Sequence, residues 1–165
     1  MKKLLIFLMC AILSLSFTGC SSSNDESVIT GEITNSWNQA SEEYEDDSFM
    51  ALFDTKSSFT TDAVENTDDG VYTVTCSVTS PDILEQLKSY QASITEVPSN
   101  ETMNSKVIEF INAAEPKTTQ HTVTVYETDS GYSVQFSEGF VDAMYGYSYS
   151  YCREQTNSLL SGALN

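Results

Sequence analysis

The sequence predicts an α+β domain, an antiparallel sheet of about four strands in two hairpins packed against helices. Three observations predict it. Segments rich in Thr, Val and Tyr alternate apolar with polar residues, and they come in pairs joined by turn sequences, Asp69-Gly70 and Asp129-Ser130-Gly131. Around these pairs the apolar residues change to helical spacing. The order is helix, hairpin, two helices, hairpin, helix, without the strict strand and helix alternation that parallel crossovers need.

The chain opens Met1-Lys2-Lys3 and runs through apolar residues from Leu4 to Leu13 before small and polar residues take over at Ser14 to Gly19. A charged start followed by an apolar run shorter than the ~20 residues of a membrane span reads as an export signal, residues 1–19. Phe17-Thr18-Gly19-Cys20 follows, and it resembles the lipobox of bacterial lipoproteins, with Phe17 where the family prefers Leu. The resemblance implies cleavage before Cys20, a diacylglyceryl group on its sulfur, and anchoring to the extracytoplasmic face of the cell membrane. Two acyl chains make such anchoring stable, each buried CH2 contributing about 0.8 kcal/mol. Residues 20–31, mostly Ser, Asn, Asp and Glu, read as a lipidated flexible tether, and residues 32–165 as one globular domain.

Ile33, Trp37, Ala40 and Tyr44 share one side of a helix that starts near Gly31, with Glu42, Glu43 and Glu45 outside, and that bends around Asp46-Asp47-Ser48. Phe49-Met50-Ala51-Leu52-Phe53 continues the apolar signal as a second helical piece or as the start of a strand, and periodicity leaves both open. Ser58 to Glu65 and Val71 to Thr79 form the first hairpin, with Tyr72, Val74, Cys76 and Val78 on the buried side. Ser80-Pro81-Asp82 is expected to close that strand and cap a helix whose apolar side is Ile83, Leu84, Leu87 and Tyr90. A further helix from about Met103 to Ala114 buries Val107, Ile108 and Ile111 and stops before Pro116.

Thr118 to Thr128 is the strongest strand signal, with Val123, Val125 and His121 on one face, and it turns into Tyr132 to Phe136. Ser137-Glu138 begins a last helix in which Phe140, Val141, Met144, Tyr145, Ser148 and Cys152 lie near one side. The alternation Tyr145, Tyr147, Tyr149, Tyr151 reads alternatively as a strand.

The pattern resembles the small cystatin-like and NTF2-like domains of Gram-positive lipoproteins. The resemblance rests on the lipobox, on the strand ending Thr79-Ser80-Pro81-Asp82, and on Val123-Thr124-Val125-Tyr126 through Asp129-Ser130-Gly131-Tyr132 into Phe140 to Gly146. It implies the fold more than any activity.

The chain carries 24 acids and seven basic residues, a formal charge of −17, and loss of Lys2 and Lys3 with the signal takes it to −19. Such a surface repels phosphate backbones and excludes nucleic acid as a partner. With Cys10 lost and Cys20 lipidated, Cys76 and Cys152 remain as an even pair, open to a disulfide or to two separate buried thiols. His121 is the only imidazole and sits in no nucleophile motif, and no zinc, P-loop or GxSxG pattern appears. The acidic runs Glu42 to Asp47 and Glu65 to Gly70 attract a calcium reading, but the second departs from an EF-hand loop at Thr67 and Cys76, and solvated surfaces explain both. No cofactor or metal is expected.

The sequence therefore points to a non-enzymatic, membrane-anchored binding or scaffolding domain with a peptide, glycan or protein partner. Its expected binding face is Tyr145, Tyr147, Tyr149 and Tyr151. The alternative is a small hydrolase or isomerase using Asp62, Asp82 or Asp142 with Tyr145, which requires a buried carboxylate facing a tyrosine in a closed pocket.

Overall fold

The computed structural model describes residues 26–41, 49–96 and 98–162. The expected export signal, Cys20 and the acidic run 42–47 lie outside them. In chain order the elements are α1 (Glu26–Ser41), α2 (Phe49–Lys56), β1 (Ser58–Asp68), β2 (Val71–Pro81), α3 (Leu84–Ser93), α4 (Asn100–Ala113), β3 (Pro116–Thr128), β4 (Gly131–Phe136), α5 (Glu138–Met144) and α6 (Tyr149–Gly162). The fold is α+β, as expected. Four antiparallel strands lie in the order β1-β2-β3-β4, so β2 and β3 pair although α3 and α4 separate them in sequence.

Alternation in β2 decides which side of the sheet is the core. Tyr72, Val74, Cys76, Val78 and Ser80 are buried, and the residues between them, Thr73, Thr75, Ser77 and Thr79, are half-buried. On the buried side α5 packs on β2 and β3, and α1 packs on β4 and β1. Trp37 of α1 meets Phe136 and Phe140 edge to ring at 5.5 and 5.6 Å, and Phe136 stacks on Phe140 at 4.9 Å. Aromatic pairs of this kind add about 0.5–1.5 kcal/mol each beyond the area they bury. The other side of the sheet presents Thr, Ser and Gln, with no helix across it among the described residues.

Several expectations are corrected. The first helix begins at Glu26 and not near Gly31, and Ile29 is fully buried, so the folded part reaches back into the stretch read as tether. Val28 and Ile29 are too brief an apolar signal in a polar run to announce this. Phe49 to Lys56 is helical, with Phe53 in the core. Ser80 does not cap α3. It is completely buried in β2, 2.8 Å from the Ser57 hydroxyl, which also lies 2.8 Å from the Met144 carbonyl. Each hydroxyl has one proton, so the three groups close into a buried knot that joins α2, β2 and α5.

The expected last helix is two helices. Gly146 N–H donates to the Ala143 carbonyl at 3.1 Å and Tyr147 N–H to the Asp142 carbonyl at 2.8 Å, a Schellman ending with Gly146 at φ +64°. Gly146 is required there twice over. Its φ is left-handed, and a Cβ would come within 2.7 Å of both a Phe53 ring carbon and the Pro81 carbonyl oxygen. Tyr147 also has a positive φ, +61°, which costs a non-glycine residue about 1 kcal/mol or more and marks it as held by its surroundings.

Candidate functional site

β3 is thirteen residues long and β4 only six. β4 pairs with Val123 to Thr128, which leaves Pro116 to Thr122 bonded to β2 on one side and, among the described residues, to no strand on the other. Local sequence explains the mismatch. The Ser137 hydroxyl accepts from Phe140 N–H at 3.2 Å, so the chain leaves the sheet after Phe136 to start α5.

The two sides of this overhang carry different polar groups. On the core side the apolar row Val125, Val123 gives way to His121, Thr119 and Lys117. The Thr119 hydroxyl lies 2.6 Å from His121 Nε2 and 2.9 Å from the Tyr147 hydroxyl, which donates to the Lys117 carbonyl at 3.3 Å. The Lys117 ammonium sits 4.0 Å above the Tyr147 ring and 2.9 Å from Asp82 Oδ2. That hydrogen bond raises the Lys117 pKa and keeps it charged. Desolvation lowers the His121 pKa, opposed by the negative field of Asp142, so the ring is neutral at pH 7. α5 rests directly on it: a Cβ on Gly139 would stand 3.0 Å from His121 Nδ1.

On the open side the overhang presents Thr118, Gln120 and Thr122. Thr118 and Thr79 hydroxyls are 2.7 Å apart. Asp62 is the extra residue of a bulge between Thr61 and Ala63, which throws its carboxylate across the sheet to accept from Ser77 at 2.6 Å and from Gln120 at 3.2 Å. The result is a flat, pre-ordered lattice of hydroxyls and amides around one carboxylate.

The four tyrosines do not share an exposed face. Tyr145 is buried against Trp37 and Phe53, Tyr147 reaches β3, Tyr149 tilts over Tyr145 at 6.3 Å, and the Tyr151 hydroxyl bonds Gln91 of α3. The elbow at Gly146 fans them apart, where one straight strand would have aligned them.

Cys76 and Cys152 are free thiols. Cys76 faces the core from β2, α5 packs on that strand, and α6 with Cys152 packs on α5, a layer further out. Burial pushes both thiols up to about 11, so neither is a nucleophile at neutral pH.

The acids proposed for an enzyme are engaged elsewhere. Asp62 is exposed on the sheet, Asp82 pairs with Lys117, and Asp142 Oδ1 accepts the Ser150 N–H at 2.7 Å, capping the first turn of α6. Among the described residues no group of three or more His, Cys, Asp or Glu converges on a metal position. A groove of about 560 Å³ between α3 and α4, lined by Glu85, Tyr90, Lys106 and Phe110 among others, is open to solvent and contains none of these acids.

Sequence reading names His121 as the one imidazole, Asp62 and Asp82 as candidate acids and Tyr147 as part of a tyrosine face, and the structure joins Tyr147 and Asp82 through Thr119 and Lys117 to His121. The signal for its neighbours was present: the row Val125, Val123, His121, Thr119, Lys117 turns polar halfway along one face of the strand. Tyr147 is expected on a tyrosine face and instead reaches β3, because the elbow that delivers it is a tertiary feature. No family model, no curated protein and no solved structure matches this chain.

Proposed function

We propose that the protein is a lipoprotein anchored through Cys20 to the extracytoplasmic face of the cell membrane, and that its folded part is a non-enzymatic binding domain. One observation carries the second half: the first seven residues of β3 keep an unbroken register with β2 and have no outer strand among the described residues, with hydrogen-bonded polar groups on both faces. Such a surface is suited to recognition, and the carboxylates beside it, Asp62 and Asp82, are held by Ser77, Gln120 and Lys117. The lipobox resemblance supports the anchor, and the likeness to small cystatin-like and NTF2-like lipoprotein domains fits a domain displayed for binding.

Two experiments test this. Labelling with an alkyne fatty acid should mark the wild-type chain and not Cys20→Ser; label on both would remove the anchor. Full-length protein in detergent should be retained by delipidated cell-envelope fragments, and Thr118→Arg with Gln120→Arg should release it, whereas Glu65→Arg on β1 should not. Equal retention of all three would remove β3 as the recognition surface.

A further inference from the structure

The register identifies which backbone groups of the overhang face outward. Asp82 N–H donates to the Glu115 carbonyl at 3.4 Å, and this pair continues the register one step beyond Pro81↔Pro116. In an antiparallel ladder, hydrogen-bonded pairs recur at every second residue. Lys117, Thr119 and His121 therefore use their N–H and C=O groups on Ser80, Val78 and Cys76. Thr118, Gln120 and Thr122 turn theirs the other way. The second hairpin gives the same parity, because its two-residue turn closes at Thr128↔Gly131, making Thr128, Tyr126 and Thr124 the residues bonded to β4. Those three have partners. Among the described residues, Thr118, Gln120 and Thr122 have none on that side.

Alternating donors and acceptors along about 14 Å of strand in unbroken register complement another extended backbone. Charge narrows the occupant further. Asp62 borders Gln120 on the open face, and the field of Asp142 acts on both His121 and Lys117 on the other. Lys117 is neutralised by Asp82, so the flanking charge left to be answered is negative. A second copy of a chain at −17 would bring more of the same sign, and a basic segment would relieve it.

We infer that the overhang of β3 is a docking edge for an extended, basic peptide segment of a partner protein, which adds beside Thr118, Gln120 and Thr122 as a further strand. This rests on the reading of β3 as the recognition surface and names its occupant. Main-chain bonds supply affinity. Alternate side chains of the segment meet Asp62 and Gln120 on one face and the Thr119, His121 and Tyr147 hydrogen-bonded group on the other.

The probe is a blocked peptide of about seven alternating Lys and Thr residues, long enough to span the edge, with a version N-methylated at every second residue as its control. Amide hydrogen exchange is read residue by residue on the full-length protein in detergent. In the free protein, Thr118, Gln120 and Thr122 are expected to exchange roughly tenfold or more faster than Thr119 and His121. The peptide at about 1 mM should slow those three amides, and the methylated control should not. Gln120→Pro removes an outward N–H without breaking a ladder bond, so it should keep the unfolding transition and lose the protection at Thr118 and Thr122.

Three outward amides already slow in the free protein, no binding of the peptide, binding that leaves them fast, or equal binding of the methylated control would each overturn the inference. Envelope retention reads the proposed function separately. Strand addition can thus fail while retention still depends on Thr118 and Gln120; if retention ignores them as well, both readings fall.

Discussion

The outer edge of β1 and the free half of β3 are both strand edges, and they are finished differently. β1 breaks register between Thr61 and Ala63 and again between Asn66 and Asp68, and it carries Asp62, Glu65 and Asp68. Bulges bend a strand away from a would-be neighbour and like charges repel one, which is how edges are kept from pairing. β3 keeps an unbroken register with β2 from Val71↔Tyr126 to Pro81↔Pro116, and its overhang places only Pro116 and Lys117 at the far end. The same sheet thus carries one edge interrupted by bulges and acids and, in the overhang of β3, a stretch of unbroken strand. The bulge that blunts β1 also delivers Asp62 to the open face beside Gln120, so blunting one edge supplies charge to the other.

Perturbations can break or sharpen this contrast, beginning with the largest. Gly146→Ala should break it. The elbow fixes where α5 and α6 stand relative to the overhang, and Ile83 N–H donates to the Gly146 carbonyl at 3.2 Å. An added methyl would meet Phe53 and Pro81 at 2.7 Å in a left-handed backbone, so a loss of about 3–4 kcal/mol is expected from urea unfolding. A loss below about 1 kcal/mol would show that the elbow relaxes freely.

A proline pair sharpens the contrast within β3 itself. His121→Pro removes an N–H bonded to β2 and should cost about 3 kcal/mol or more, whereas Gln120→Pro removes an outward one and should cost about 1 kcal/mol or less. Equal costs would mean that the outward parity is wrong.

Asp54 measures what a half-buried carboxylate costs in α2, against the exposed acids of β1. It lies half-buried in α2, its Oδ1 has no partner among the described residues, and desolvation raises its pKa from 3.8 to about 6. A pKa raised on folding gives stability that is complete below about pH 4 and lost as pH climbs through 6. Asp54→Asn should remove that decline and gain about 1–2 kcal/mol at pH 7, reduced from the two-unit shift because the group is half in solvent. Urea melts across that range check it, and a wild-type stability flat with pH would refute it.

The smallest effect is expected at Asp62→Asn, which keeps the hydrogen-bonding shape and removes the charge. Stability should stay within about 0.5 kcal/mol, while binding of the Lys-Thr peptide weakens roughly threefold at low salt and little at high salt. Unchanged binding at low salt would discard charge as a selector.

The export-signal expectation and the lipobox resemblance rest on linear patterns and lie outside the described residues, whereas the fold is legible in part. The α+β class, both hairpins, and the helices between them were legible. Alternation of Tyr72 to Val78, the Asp69-Gly70 turn and the Pro116 stop are properties of neighbouring residues, and neighbouring residues are what a sequence displays. Tertiary structure alone decided the rest. Whether β4 runs the length of β3 depends on where α5 departs, and whether Ser80 caps a helix or closes a buried knot depends on Ser57 and Met144, far away in the chain. Cys76 and Cys152 stay separate thiols, one fully buried in β2 and the other half-buried on α6. The tyrosines scatter because Gly146 turns the chain against Phe53 and Pro81. Each is fixed by which surfaces meet, and that is settled only when burial of the whole core selects one packing.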